Sequence, residues 1–291
     1  MEKNILGTVG NTPLIKIGKI FAKLETTNPT GSVKDRMAWY MVKNAEERGE
    51  LNPGRRIIEV TSGNTGIAFA MISAIRGYRF TAVMPESMSI ERRKMMEAFG
   101  AELILTPAEE DIWGAIKKYN ELAREHTDAW LPKQFENPDN IEAHEKGLGK
   151  EIIMQTDGKV DAFVAGTGTG GTLIGVAKAL KKVNPNVKIV AVEPAESAVM
   201  SGGKPGSHKI QGIGEGFIPK IVKDNMRLID KVITVKSDDA IKMQKKLAKE
   251  HGILVGISSG ANVLAAMQLS KKYKNVVTVL PDRGERYLSN D

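Results

Sequence analysis

Residues 160–172 read Val160-Asp-Ala-Phe-Val-Ala-Gly-Thr-Gly-Thr-Gly-Gly-Thr172, and an amphipathic stretch over 172–182 follows at once. An apolar run therefore passes through Gly166, Gly168, Gly170 and Gly171 into a predicted helix. Glycines carry no Cβ, so backbone N–H groups come close to an anion, and the helix N-terminus adds partial positive charge. The spacing predicts a strand–turn–helix unit with a phosphate cradle in its turn. It also satisfies GxGxxG through Gly166, Gly168 and Gly171. Glu193 closes the next predicted strand, about 20 residues on from the motif, where a dinucleotide fold places an acid. Two readings stay open at this point, an NAD-dependent enzyme and a site for another phosphate-bearing ligand.

Outward from this unit the same alternation continues in both directions. Apolar, β-branched runs predict strands over 56–60, 80–84, 102–105, 160–165, 187–192, 232–235 and 276–280. Amphipathic stretches predict helices over 33–48, 65–76, 89–99, 112–125, 141–155, 172–182, 238–251 and 259–272. Gly49, Gly77, Gly100 and Gly252 follow helices as C-terminal caps, and Ser237 is expected to cap the helix opening with Asp238 and Asp239. Strand–helix alternation implies an α/β fold with mainly parallel sheets. Pro138 interrupts the pattern near 137–140, where a domain break is expected. The long Gly-rich stretch 201–219 is expected to be functional.

The chain has 291 residues, 41% hydrophobic and 26% charged, enough for two domains with ordinary cores. It has no cysteine, which excludes disulfides, Cys-zinc sites and a cysteine nucleophile. The net charge of +7 comes from bases interleaved with acids, which predicts solvated faces rather than a nucleic-acid surface. No apolar run reaches the length of a membrane span, and residues 1–14 hold no signal-type block; cytoplasmic sequence is the expectation. His126, His144, His208 and His251 are scattered without HExxH, so no metal is expected.

Three further segments carry candidate chemistry. Ile57-Ile-Glu-Val-Thr-Ser-Gly-Asn-Thr-Gly66 again joins a strand to a helix, here through a turn lined by Thr61, Ser62, Asn64 and Thr65. Hydroxyl, amide and backbone donors there suit a carboxylate, although the same residues serve as helix caps. Val255-Gly-Ile-Ser-Ser-Gly-Ala261 places Ser258 and Ser259 near a helix start. In Asn28-Pro-Thr-Gly-Ser-Val-Lys-Asp-Arg36, Ser32 and Asp35 read as a capping box, which puts Lys34 in the first helical turn. The helix dipole opposes a cation there and favours a neutral, nucleophilic amine. A phosphate cradle, a carboxylate pocket and a poised amine together fit an amino acid held on pyridoxal 5'-phosphate (PLP), with Lys34 as the Schiff-base residue. A dehydrogenase has no evident use for the second anion site or the lysine.

With these motifs in order the chain resembles the cysteine synthases (O-acetylserine sulfhydrylases) of the tryptophan-synthase-β-like, fold type II PLP enzymes. The resemblance rests on Gly10-Asn-Thr-Pro-Leu14, Ser32-Val-Lys-Asp-Arg36, Thr61-Ser-Gly-Asn-Thr-Gly66, Pro85-Glu-Ser-Met-Ser89, Gln134-Phe135, Asn137-Pro138, Gly168-Thr-Gly-Gly-Thr172, Gln211-Gly-Ile-Gly214, Gly256-Ile-Ser-Ser-Gly260 and Gly284-Glu-Arg-Tyr-Leu-Ser289. It implies two α/β domains with mainly parallel twisted sheets and PLP in the cleft between them. Residues 35–139 would form a smaller mobile substrate-binding domain, and 1–34 with 140–291 a larger PLP-binding domain. Lys34 would form the internal aldimine and act as acid and base at Cα. Gly168, Thr169, Gly170, Gly171 and Thr172 would hold the phosphate, Asn64 the ring hydroxyl, and Ser258 the pyridine nitrogen. Thr61, Ser62, Thr65 and Gln134 would bind the substrate carboxylate.

The implied reaction is β-replacement: O-acetyl-L-serine and sulfide to L-cysteine and acetate, through an aminoacrylate in a ping-pong mechanism. A serine hydroxyl at the pyridine nitrogen makes a weaker electron sink than a carboxylate would, which suits β-elimination. A homodimer is also implied, and some members bind the C-terminal tail of serine acetyltransferase. Arg283 departs from the commoner sulfide-using pattern, and the chain is short near 17–21. Cystathionine β-synthase, an O-phosphoserine- or thiosulfate-using sulfhydrylase, and a catalytically silent scaffold stay as alternatives. A dehydratase would typically carry SGNH where this chain has Ser62-Gly-Asn-Thr65.

Overall fold

Near-continuous apolar runs build the central strands of the larger of two units in this computed structural model, which describes residues 3–290. The elements in chain order are β1 (Leu14–Ile17), β2 (Ile20–Leu24), α1 (Lys34–Glu47), β3 (Arg56–Val60), α2 (Asn64–Arg76), β4 (Arg79–Pro85), α3 (Ile90–Ala98), β5 (Glu102–Thr106), α4 (Asp111–Glu125), α5 (Pro138–Ala143), α6 (Lys150–Gln155), β6 (Ala162–Gly166), α7 (Gly171–Val183), β7 (Lys188–Pro194), α8 (Lys220–Lys223), β8 (Lys231–Val235), α9 (Ser237–His251), α10 (Ile257–Leu269) and β9 (Val276–Leu280).

The larger unit comprises Gly10–Val33 and Phe135–Asp291. Its six-stranded sheet runs β1-β2-β9-β6-β7-β8, parallel throughout except for the β1–β2 pair. Side chains alternate across the pleat. Ala162 and Val164 pack with Leu247, Val263 and Ala266 of α9 and α10. Phe163 and Ala165 face the other way, onto Leu173, Val176 and Leu180 of α7 and Ile152 of α6. A sheet buried on both faces needs strands apolar at every position, which is why these strands are runs rather than alternations.

The smaller unit comprises Lys34–Gln134 with the N-terminal residues up to Val9. Its parallel sheet β3-β4-β5 carries Ile58 and Val83 against Ala115 and Leu122 of α4. Phe69 of α2 stacks tilted on Phe80 and edge-on to Trp130. α1 packs on α2.

The α/β class with mainly parallel sheets is as the sequence predicts, and β3 and β9 match their predicted bounds. Four local readings are corrected. The hairpin β1–β2 was not predicted; Gly18, at φ +57°, begins its two-residue turn, and Ile17 pairs Ile20 directly, so the shortness of the chain there is a tight turn. The helix expected over 141–155 begins at Pro138, whose missing N–H costs nothing at the first helical position, with Asn137 as cap; residues His144–Gly149 form a π-helical turn within it. α10 begins at Ile257, so Ser258 and Ser259 lie inside its first turn rather than before it. Ser237 is the first residue of α9, not its cap: its Oγ accepts from Lys209 N at 3.0 Å, and its N–H goes to Glu196 at 2.8 Å. Among the described residues no helix is long and apolar enough to cross a membrane, and no three or more His, Cys, Asp or Glu are placed to hold a metal ion.

Candidate active site

In the larger unit, the turn between β6 and α7 is held by packing that only glycine admits. A Cβ on Gly168 would overlap the carbonyl of Gly212, one on Gly171 would overlap the Asn140 side-chain amide, and Gly170 adopts φ +86° against Val222. Asn140 Nδ2 donates to Thr169 Oγ1 at 3.0 Å, and Thr172 Oγ1 lies 3.3 Å from His144 Nε2. Gly170, the cap residue of α7, supplies no side-chain cap, and the first turn carries no acid. Gly171 N makes a long bond to Thr169 Oγ1 at 3.4 Å, and backbone donors at this acid-free helix start fit a phosphate group, as the PLP reading requires.

The same unit brings Ser258 to this end of the sheet. Asn262, one turn further along α10, is fully buried; its Oδ1 accepts from Gly166 N at 2.8 Å, and its Nδ2 donates to Val279 O at 2.9 Å. It ties α10 to the C-terminal ends of β6 and β9, the edge where parallel sheets bind ligands. Ser258 lies four residues earlier, on the same helix face, and is 4% exposed. The stretch expected to be functional folds onto the glycine turn, with Gly214 N donating to Thr167 O at 3.1 Å. Glu193 is buried and accepts from Met200 N, Ser201 N and Ser201 Oγ. Its carboxylate is a loop anchor, which removes the acid that the dinucleotide reading needed for a ribose.

The loop preceding Lys34 is anchored within the larger unit as far as Val33. Arg283 Nε donates to Thr26 O at 2.8 Å, Arg283 N donates to Gly31 O at 3.1 Å, and Val33 N donates to Pro281 O at 2.8 Å. The Arg283 side chain covers Gly31, which has φ +82°. The departure from the family pattern at Arg283 is thus a loop clamp. Upstream, Lys23 is fully buried and donates to Glu151 at 2.7 Å and to Thr12 O at 2.6 Å, while Asn11 N and Thr12 N donate to the same carboxylate. This network explains the Gly10–Leu14 motif; Lys23 and Glu151 lie 128 residues apart, and no local pattern links them.

In the smaller unit, Lys34 opens α1 and Asn64 opens α2. Thr61 Oγ1 accepts from Gly66 N at 3.1 Å and Gly63 N at 3.4 Å, so this hydroxyl shapes the turn itself. Thr65 Oγ1 donates to Gln134 Oε1 at 2.8 Å, and Gln134 Nε2 donates to Val60 O at 3.3 Å. Thr61, Thr65 and Gln134 are buried, and Ser62 is half-buried. The unit therefore gathers Thr61, Ser62, Asn64, Thr65 and Gln134 at one strand–helix turn, the last from a distant segment. Sequence reading passed over Glu59, two residues before Thr61. Burial pushes its carboxyl up to about 8, against backbone N–H bonds from Gln134, Val60 and Lys133 that lower it.

Comparisons with known proteins agree with this geometry. The family model described as pyridoxal-phosphate dependent enzyme matches residues 5–282. A cysteine synthase of Staphylococcus aureus is 52% identical over 298 aligned positions, covering 98% of this chain and 95% of that protein. The crystal structure of cysteine synthase from Entamoeba histolytica superposes with TM-score 0.95 at 44% identity, covering 100% of this chain and 90% of that one. That of an O-acetylserine dependent cystathionine β-synthase from Helicobacter pylori superposes with TM-score 0.93 at 40% identity, covering 99% and 98%. The glycine cradle, the lysine at a helix start and the end-to-end match lead to one assignment: the chain belongs to the pyridoxal-phosphate dependent enzymes.

Proposed function

We propose that this enzyme is a cysteine synthase, converting O-acetyl-L-serine and sulfide to L-cysteine and acetate. The observation that carries the reading is the 52% identity to a cysteine synthase across 98% of the chain. When bound, PLP would supply a carbonyl for the substrate amine and an electron sink for charge developing at Cα. The backbone N–H groups of Gly168 to Thr172 would hold its phosphate, Asn64 its ring hydroxyl, and Ser258 its pyridine nitrogen. Thr61, Ser62, Thr65 and Gln134 hold the substrate carboxylate. The Lys34 amine takes the Cα proton as the Cβ–O bond breaks and acetate departs, and returns a proton to Cα once sulfide has formed the Cβ–S bond. Acetate leaves before sulfide adds, which gives ping-pong kinetics.

Residues 35–139 act in this reading as the substrate-binding domain, and 1–34 with 140–291 as the cofactor-binding domain. The enzyme works in the cytoplasm as a homodimer, and a serine acetyltransferase tail is a candidate partner. The test is turnover of O-acetyl-L-serine with sulfide against homocysteine. Cysteine as the favoured product, with parallel double-reciprocal lines, supports the reading; preferred formation of cystathionine overturns sulfide as the nucleophile. Lys34→Ala is expected to lose β-replacement by about a thousandfold or more, measured as cysteine formed at saturating substrates.

A further inference from the structure

The segment 130–134 runs beside β3, and the two stop pairing in an unusual way. Ile57 and Trp130 form a parallel bridge, with Trp130 N donating to Arg56 O at 2.8 Å and Ile58 N to Trp130 O at 3.1 Å. The next donor in such a ladder would be the N–H of residue 132, which is Pro132 and has none. Lys133 then turns the chain in a left-handed conformation, at φ +53°. Where the ladder ends, the Glu59 side chain takes over. Its Oε1 accepts from Val60 N at 3.1 Å and its Oε2 from Gln134 N at 3.4 Å. The Lys133 backbone N–H, next to that of Gln134, also acts on this carboxyl and lowers its pKa. Two successive N–H groups at a left-handed residue form a nest of backbone donors, filled here by an acceptor from within the chain.

The consequence lies one bond further on. Gln134, whose backbone the carboxyl holds, spans with its side chain from Val60 O to Thr65 Oγ1. Val60 is the other residue whose N–H the carboxyl holds. Both ends of the strand–turn–Gln134 bracket are thus fixed by one side chain that is 4% exposed.

We propose that Glu59 is a positioning residue: it sets Gln134 and the Val60–Thr65 turn in the geometry that receives the substrate carboxylate. The inference rests on the carboxylate-binding reading of that turn given above. A carboxyl is the side chain this nest calls for, because both of its oxygens accept hydrogen bonds from the backbone. The amide of a glutamine keeps one accepting oxygen but turns an NH2 donor toward backbone donors.

The experiment uses the PLP-loaded enzyme and the variants Glu59→Gln, Gln134→Ala and their combination. L-Alanine, which has no β-leaving group, serves as the binding probe, followed by the change in the cofactor's visible absorbance. For Glu59→Gln the Kd for L-alanine and the KM for O-acetyl-L-serine should each rise about tenfold, the effect of one displaced buried hydrogen bond. KM for sulfide, which carries no carboxylate, and the PLP content should stay unchanged. The double variant should resemble Gln134→Ala alone, because Glu59 acts through Gln134. Additive effects, or a parallel loss in sulfide KM and PLP content, overturn the proposal while leaving the carboxylate pocket in place. A Gln134→Ala enzyme with unaltered binding of both amino acids overturns the pocket and the proposal together. If Glu59→Gln does not fold, Lys133→Pro decides instead: Lys133 is exposed, and proline removes the nest's N–H and its positive φ. A tenfold weaker L-alanine Kd at full PLP content supports the proposal, and an unchanged Kd defeats it.

Discussion

The β6–α7 turn of the larger unit and the β3–α2 turn of the smaller one share a topology, a parallel strand running into a helix, but are built of opposite materials. The first is glycine and backbone, wedged in place by Gly212, Asn140 and Val222. The second is side chain: Thr61 folds its own turn, Thr65 meets Gln134, and Glu59 holds the segment that delivers Gln134. Wedged backbone presents fixed donors at no cost of reorganisation, which suits a group that stays bound through every turnover. Hydroxyls and amides hydrogen-bonded to one another can exchange partners, which suits a carboxylate that arrives and leaves each cycle.

The comparison breaks most sharply at Gly171. Gly171→Ala at the start of α7 pushes a Cβ into the buried Asn140 amide of α5, an overpacking cost of about 1–3 kcal/mol. PLP retained after dialysis should fall at least several-fold, read from the visible absorbance per protein; full retention would show that the turn is not wedged. A gentler break is Thr61→Ala, which removes the acceptor for Gly66 N and Gly63 N. A lost cap of this kind costs about 1 kcal/mol. Amino-acid binding should weaken roughly five- to tenfold with PLP content unchanged; loss of PLP instead would move Thr61 into the cofactor site.

The smallest effect sharpens the contrast through pH. The glycine turn is anchored by Asn140, an amide with no proton to lose, whereas the hydroxyl turn is anchored by a carboxyl pushed from 4.5 to about 8. The folded state holds that proton more tightly than the unfolded chain does. The contribution to stability is therefore fully present below about 4.5 and is lost as pH rises through about 8. Glu59→Gln has no such titration. The melting temperature of the parent should fall relative to that of Glu59→Gln between pH 5 and pH 9, by differential scanning calorimetry. A difference constant with pH would place the Glu59 carboxyl at its ordinary value.

Much of the fold was legible because its signals are local. The apolar run Val276–Leu280 is buried on both sides of a parallel sheet, and Gly77 ends α2 in a left-handed conformation with its N–H on Ser73 O. The hairpin β1–β2 escaped notice because two strands of four and five residues offer too short a period to read. The π-helical turn at His144–Gly149 has no composition signature, since it differs from α-helix only in which carbonyl each N–H meets. Ser237 looked like a cap because serine is a cap-former, but Lys209 and Glu196 claimed its hydrogen bonds from elsewhere in the chain.

The sequence by itself determined the strand–helix alternation, the glycine turn at 166–171, Lys34 at a helix start and the family, since each depends on neighbours within a few residues or on motifs in order. Only the tertiary structure decided what surrounds those motifs. It set Asn140 against Gly171, Asn262 on Gly166, Arg283 over Gly31, and Glu59 beneath Gln134. Those pairings join residues 31 to 252 positions apart. Whether a carboxyl there is a solvated surface acid or a buried anchor depends on what packs over it, and that is settled when the chain excludes water, not by its neighbours in sequence.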